Sequence, residues 1–416
     1  MIRRRLGSLW SEAGVVLAGN VFARGLGFLF PLVLARAVTK HDFGTVYFFI
    51  GTGFFVSELV LTGFPTALTR FMAAEGTKGA WFSSSIVGGI PLLAVSLAAG
   101  EALAALAHEP PALMSMVVVG LSIDAYYFGL LQGLKRFKLL ASYRVSANLA
   151  QIVLLLGAVA LGIDSTGVAI AIYSFVYVVP IAAIELLRRP LRHALRGTVR
   201  PDRERVRRLT RFAVPALISG TAYAALTQAD LLFVRLLAPG ALGDYAAARN
   251  LAQPVLLAPY AIAIVMLPTV ASADQEDRWR LLSRAMVVTA ALGVVLVAAY
   301  AAGSQLLVGA VLPGDYAHAA SSLPVLAAAL AAMGLYSILS QWWMGIGRPG
   351  PPALALSFGA LVAIGLQVAL TPAHGAIGAA TAIAAGVGCA SLALGAATAR
   401  ARVRARRAEP ALATSG

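Results

Sequence analysis

The 416-residue chain is short of charge, of acid and of cysteine. Asp, Glu, Lys and Arg together make 12% of it, while 59% is hydrophobic. Soluble domains carry about 25% charge, so this composition excludes an ordinary soluble domain. Spread over many long apolar runs, it points to a polytopic membrane protein. The one cysteine, Cys389, sits in an apolar run and excludes a disulfide framework or a cysteine-built metal site. The five histidines, His41, His108, His193, His318 and His374, fall in connections or near span ends, which suits solvated residues better than ligands. The chain lacks GxxxxGK[ST], HExxH and G-x-S-x-G. No enzymatic activity, no cofactor and no metal is therefore expected. Period-2 alternation is missing too, which argues against β-barrel spans.

Arginine is what the chain has in quantity. Lys and Arg number 33 against 18 acids, for a net charge of +15. Ten arginines and only two acids, Asp202 and Glu204, crowd the stretch from Arg188 to Arg211 between two apolar halves. An arginine at mid-bilayer costs roughly 2.5–3.5 kcal/mol even on the lenient insertion scale. This stretch therefore cannot cross a membrane, and the positive-inside rule keeps it in the cytoplasm. The rest of the excess falls on Arg3, Arg4 and Arg5 and on the tail from Arg400 to Arg407. Because the charge lies where cytoplasmic flanks need it, no nucleic-acid partner is expected.

Apolar windows bounded by charge or Pro/Gly clusters predict an all-α fold of about twelve transmembrane helices. The first six cover 14–38, 45–69, 81–106, 112–134, 139–162 and 167–187. The second six cover 212–237, 243–270, 284–304, 320–345, 351–371 and 375–399. The start, with Ala35-Arg36-Ala37 as a mimic of a cleavage site, is read as an uncleaved first span rather than a signal peptide, because Asn20 and Arg24 interrupt it. Alternate connections hold the bases: Arg70 and Lys78; Lys135, Arg136 and Lys138; the ten arginines; Arg278, Arg280 and Arg284; Arg348; and the tail. The intervening connections contain Lys40 as their one lysine or arginine. Both termini are expected in the cytoplasm of a cell (inner or plasma) membrane protein.

The halves read as copies. Arg36 and Gly44, followed by Tyr47, recur as Arg235 and Gly243, followed by Tyr245. Trp81 matches Trp279, Gly133 and Arg136 match Gly345 and Arg348, and Gly167-Val-Ala-Ile matches Gly375-Ala-Ile-Gly. An even number of spans per half gives two six-helix bundles in the same orientation, related by a pseudo-two-fold along the membrane normal, with alternating access as the default mechanism. The expected organisation is a bundle over 1–187, a basic cytoplasmic linker over 188–211, a bundle over 212–399 and a basic tail over 400–416.

Ionisable groups at membrane depth are functional candidates. Arg24, Glu58 and Asp124 fall near the middle of spans 1, 2 and 4, with Asn148 and Gln151 at that level in span 5. In the second half Gln253 is central, and Gln228, Asp230, Arg235 and Arg249 lie further out. Two readings stand. In one, the charges pair off as structural ion pairs, Arg24 with Glu58 or Asp124, and Asp230 with Arg235 or Arg249. In the other, Arg24 faces a cavity and grips phosphate through bidentate hydrogen bonds, while Asp124, Glu58 and Asp230 couple transport to an ion. Arg70 and Arg144 lie near the inner face, where they either snorkel to headgroups or ring a cavity mouth.

The run Asn20-x-x-x-Arg24-Gly-Leu-Gly-Phe, then Ala35-Arg36 and Asp42-Phe43-Gly44, resembles the opening of bacterial polysaccharide (O-antigen) flippases. These belong to the multidrug/oligosaccharidyl-lipid/polysaccharide exporter superfamily. Residues Phe64 to Phe71, Asp230-Leu-Leu-Phe-Val-Arg235, Gly243-Asp-Tyr245-Ala-Ala-Ala, Pro268 and Gly375-Ala-Ile-Gly-Ala-Ala are similar to other parts of the family pattern. The resemblance implies translocation of undecaprenyl-diphosphate-linked oligosaccharide, with substrate arginines at Arg24, Arg70, Arg144 and Arg249. Expected partners are that substrate and membrane lipids; Na+ or H+ coupling and glycan polymerase machinery are candidates. The alternative is a cation-coupled multidrug or metabolite exporter of the same superfamily.

Overall fold

The computed structural model describes residues 25–61, 63–74, 78–163, 165–190 and 200–413, together with Phe22 and Arg192. Every regular element among the described residues is helical. The cause is hydrogen bonding: lipid offers backbone N–H and C=O groups no partner, and a helix satisfies both within one segment. The first half forms α1 (Leu29–Ala37), α2 (Lys40–Leu61), α3 (Phe64–Ala74), α4 (Lys78–Leu106), α5 (Pro111–Gly133), α6 (Phe137–Ala160), α7 (Thr166–Phe175) and α8 (Val178–Arg188). The second forms α9 (Arg203–Thr227), α10 (Ala229–Leu237), α11 (Leu242–Ala252), α12 (Leu257–Ser272), α13 (Gln275–Val311), α14 (Ala319–Gly345) and α15 (Gly350–Ala413). By length and composition, eight helical stretches among the described residues can cross a membrane: Lys78–Leu106, Pro111–Gly133, Lys138–Ala160, Thr166–Arg188, Pro239–Leu267, Gln275–Val311, Ala319–Gly345 and Gly350–Ala405. The chain is an all-helical multi-pass membrane protein.

Several expected spans are not single helices, and each break has a local cause. The apolar run at 45–69 is divided between α2 and α3, where Pro65 at the second position of α3 has no N–H to continue a helix from above. The run at 212–237 breaks at Gln228, whose φ of −135° and ψ of −25° depart from the helix. Between α11 and α12 the chain tightens into a 3-10 turn, Gln253–Leu256, that contains Pro254. In α15 the chain reverses at Gly375, at the expected boundary between the spans 351–371 and 375–399, where φ is 56° and ψ −129°, a conformation open to glycine. Gln367 Nε2 on one arm then donates to the carbonyl of Ala379 on the other at 3.2 Å, so the two arms run back along each other. The basic stretch is partly helical: α9 starts at Arg203 and continues unbroken into the apolar run after Arg211.

Contacts divide the chain into two compact units. Unit 1 comprises Met1–Ala224 with Leu242–Ala247 and Val311–Tyr316; unit 2 comprises Ala225–Ala241, Ala248–Ala310 and Ala317–Gly416. In unit 1, α5 is the central helix and packs on α2, α3, α4, α6 and α7. Its core toward the basic end gathers Phe64, Leu68, Met72, Trp81, Tyr127, Leu130, Tyr143 and Leu209 from α3, α4, α5, α6 and α9. In unit 2, α14 packs along α15 and α12. There Trp343 Nε1 donates to Thr398 Oγ1 at 2.9 Å, and Trp279 packs against Trp342 with ring centroids 4.5 Å apart and planes tilted by 41°.

Candidate functional site

Four helices of unit 1 line a cavity of about 320 Å³. Leu121, Asp124, Ala125, Phe128, Gly129 and Gln132 reach it from α5, at the three- and four-residue spacing of one helix face. Phe54 and Leu61 come from α2, Pro65, Thr66 and Thr69 from α3, and Arg144 from α6. The lining is apolar with a few converging polar groups, the usual character of a ligand site. At the small end of the roughly 300–1,000 Å³ such sites occupy, it has room for an ion with water or one polar group, not for a glycan.

The charged wall of this cavity is one pair. Arg144 Nη1 donates to Asp124 Oδ2 at 3.0 Å, and the Tyr143 hydroxyl donates to Asp124 Oδ1 at 2.6 Å. The Arg144 guanidinium lies over the Phe128 ring, 4.6 Å from its centroid. Its side chain is 27% exposed and that of Asp124 11%. The carboxylate is thus satisfied on both oxygens, while the guanidinium keeps an open edge on the cavity. Asn148 Nδ2, one turn further along α6, donates to the Arg144 carbonyl at 2.8 Å. Glu58 is half-buried on α2, on the same helix stripe as Phe54 and Leu61.

The other candidates fall elsewhere. Arg24 lies outside the described residues. Arg70, exposed near the end of α3, places its guanidinium 4.5 Å from the Phe212 centroid. In unit 2, Arg249 Nε sits 3.0 Å from Asp230 Oδ2, with side chains 12% and 3% exposed. Arg249 also donates to Gln228 Oε1 at 2.8 Å and to the Thr227 carbonyl. Those carbonyl and amide acceptors lie at the break between α9 and α10, so the guanidinium holds that break together. Arg249 is one of the two partners expected for Asp230. The partner presented for Asp124 is Arg144, a pairing the sequence reading did not contain.

Sequence reasoning also missed Tyr143, Phe128, Thr66, Thr69 and Gln132, and it gave Lys40 no role. Lys40 Nζ lies 2.6 Å from Asp244 Oδ2 and donates to the Asp315 carbonyl at 2.9 Å, all within unit 1. Backbones touch here: a Cβ on Gly243 would stand 2.6 Å from the Lys40 carbonyl oxygen, and one on Gly44 would stand 3.0 Å from Gly243 N. The glycines matched by the internal repeat are therefore in contact. Beside them, burial first, then the negative charges of Asp244, Asp315 and Asp42, push the Tyr316 phenol above its ordinary range. It stays protonated.

Residues 9–273 match the family described as "Polysaccharide biosynthesis protein". No match is found among curated proteins. Among solved structures, the chain is similar to a lipid II flippase, MurJ, in an inward closed conformation, with a TM-score of 0.68, 15% identity, and 91% of this chain and 86% of that chain covered. It is similar to an inward-facing multidrug resistance MATE family transporter of the MOP superfamily, with a TM-score of 0.70, 16% identity, and coverage of 94% and 98%. It is also similar to the eukaryotic MATE transporter AtDTX14, with a TM-score of 0.62, 17% identity, and coverage of 95% and 95%. At these identities the likeness establishes the fold.

Proposed function

The chain belongs to the polysaccharide biosynthesis protein family, and from that premise we propose that it is a flippase for lipid-linked oligosaccharide. Its cargo is an undecaprenyl-diphosphate-linked repeat unit, carried from the cytoplasmic to the outer leaflet for cell-surface polysaccharide. The observation that carries this reading is the family match over residues 9–273. The cargo's chemistry fits the residues: a diphosphate needs cations, a glycan needs a wet path, and the lipid tail can remain in the bilayer.

Twelve spans, both termini cytoplasmic, form two six-helix repeats that rock to give alternating access. Arg24, Arg70, Arg144 and Arg249 are the candidate phosphate contacts. Arg144 is the favoured one among the described residues, because its guanidinium has an open edge on a cavity, whereas Arg249 already serves three acceptors. Asp124, Glu58 and Asp230 are the candidate coupling sites for Na+ or H+. Asp124 is favoured among them: a cation entering the cavity competes with Arg144 for its carboxylate, and so frees the guanidinium for phosphate.

The test is a deletion strain. Lipid extracts should accumulate undecaprenyl-diphosphate-linked oligosaccharide while surface polysaccharide is lost, and the intermediate's mass identifies the cargo. Unchanged lipids and surface glycan, with altered drug susceptibility instead, would replace this reading with a cation-coupled exporter.

A further inference from the structure

The end of unit 2 that carries the basic tail is built on three tryptophans. Trp342 and Trp343, adjacent near the end of α14, are buried and lie edge to face, 5.5 Å apart. Each uses its indole N–H to hold a neighbouring helix. Trp343 Nε1 donates to Thr398 Oγ1 on α15, and Trp342 Nε1 donates to the Arg278 carbonyl on α13 at 3.2 Å. Arg278 Nε in turn donates to the Val270 carbonyl at 2.9 Å, which ties α13 to α12. Trp279 packs on Trp342 from α13 but is only half-buried. Its indole N–H, unlike the other two, has no hydrogen bond among the described residues.

Arg402 lies one turn beyond Thr398 on α15, on the same side of the helix. Its guanidinium sits over the Trp279 ring, 5.7 Å from the centroid. Such stacking holds a guanidinium by its face and leaves its N–H edge open. Arg402 makes no ion pair among the described residues. Of the acids at the start of α13, Glu276 and Asp277 pair with Arg280. Asp274, exposed just before α13, makes no ion pair among the described residues. The level is that of headgroups. Arg402 stands about 27 residues past the reversal at Gly375, about 40 Å of helix, and a bilayer with its headgroups is about 40–45 Å thick. Along that length α13 and α15 expose Val287, Val288 and Leu392, side chains that suit acyl chains. A half-buried indole at a membrane boundary turns its N–H to the polar layer.

We propose that the Arg402 guanidinium and the Trp279 indole N–H together hold the phosphate of an anionic phospholipid, whose acyl chains lie along the apolar sides of α13 and α15. Trp342 and Trp343 fix the two donors in place, and the bound lipid joins α15 to the start of α13. The site rests on the chain's being a membrane protein, not on the identity of its cargo or of a coupling ion. Free phosphate shares the headgroup's chemistry, and the acyl chains separate the two.

The test uses purified full-length protein in neutral micelles and counts retained lipid by native mass spectrometry on monodisperse fractions. The probes are phosphatidylglycerol and phosphatidylcholine, with inorganic phosphate as competitor. Arg402→Gln should cut retention of phosphatidylglycerol about tenfold, the scale of a charge-assisted hydrogen bond. Trp279→Phe keeps the ring and every charge but removes the N–H, and should cut it about threefold. Arg404→Gln removes the same charge about 200° round the helix and should leave retention near wild type. Equal losses from Arg402→Gln and Arg404→Gln would overturn the proposal, because a diffuse basic tail gives that result. Undiminished retention in Trp279→Phe would overturn it too. So would equal retention of phosphatidylcholine, or displacement of phosphatidylglycerol by inorganic phosphate at equal concentration, which would make free phosphate the ligand.

Discussion

Among the described residues, each unit holds a buried or half-buried acid–arginine pair within its helices, and the two pairs are built differently. Asp230 and Arg249 are sealed: the side chains are 3% and 12% exposed, and the arginine also ties down the Thr227 carbonyl and the Gln228 amide where α9 breaks. Asp124 and Arg144 sit on a cavity wall, at 11% and 27% exposure, with a tyrosine hydroxyl and a phenylalanine ring as company. A charge sealed from water is costly unless its partner is present, so the first pair is suited to holding a fold. A charge with an open edge can exchange partners, so the second is suited to work. The same residue types serve different ends because the helices around them leave different access.

Breaking the sealed pair should have the largest effect on the protein itself. Removing one partner of a buried ion pair costs about 3–5 kcal/mol. Arg249→Ala should therefore lower the yield of monodisperse protein sharply, read by fluorescence-detected size exclusion. Asp230→Asn combined with Arg249→Gln should recover part of that yield, because no lone charge stays buried. Breaking the open pair should spare abundance and strike transport instead. Asp124→Asn should reduce glycan export about tenfold, the scale of a typical coupling free energy, and blunt its dependence on a sodium or proton gradient. If Arg249→Ala and Asp124→Asn lower abundance equally, the contrast between the pairs fails.

Arg144→Lys sharpens the comparison further. It keeps the charge but loses the planar fork and the stacking on Phe128. Export should drop by less than in Asp124→Asn, with abundance unchanged; full activity would mean that a point charge suffices. The smallest effect is expected from Arg280→Ala, since its exposed ion pairs with Glu276 and Asp277 contribute about 1 kcal/mol or less. Its thermal midpoint should move little, and a collapse would show that this exposed end of α13 depends on them.

Membrane character and helical class were legible because charge scarcity and apolar run length act on every segment alike. The resemblance to flippases was legible too, in short motifs such as Asp42-Phe43-Gly44 and Asp230 to Arg235, and the match over residues 9–273 bears it out. The pair at the cavity was only half legible. Asp124 stood out as an acid in an apolar run, but Arg144 was placed near the inner face and left without a partner. The signal that could have joined them is the turn at Leu134 to Arg136: α5 and α6 run back along each other from it, and the two residues lie at similar distances on either side. Tyr143 gave no signal, since an aromatic in an apolar helix usually packs. Lys40 and Asp244 lie about 200 residues apart, and only the folded chain brings Leu242–Ala247 into unit 1. The break at Gln228 was hidden for a related reason, because hydropathy windows see composition and not the dihedral of one residue; the one at Gly375 was legible as the boundary between the expected spans at 351–371 and 375–399.

One measurement tests the flippase reading most directly. Purified protein is reconstituted into liposomes with undecaprenyl-diphosphate-linked oligosaccharide in one leaflet, and the glycan reaching the other leaflet is followed with and without an imposed sodium or proton gradient. The account predicts gradient-dependent movement by wild type, little by Asp124→Asn, and none of a lipid lacking the diphosphate. Movement of every lipid alike, or of none, would contradict it.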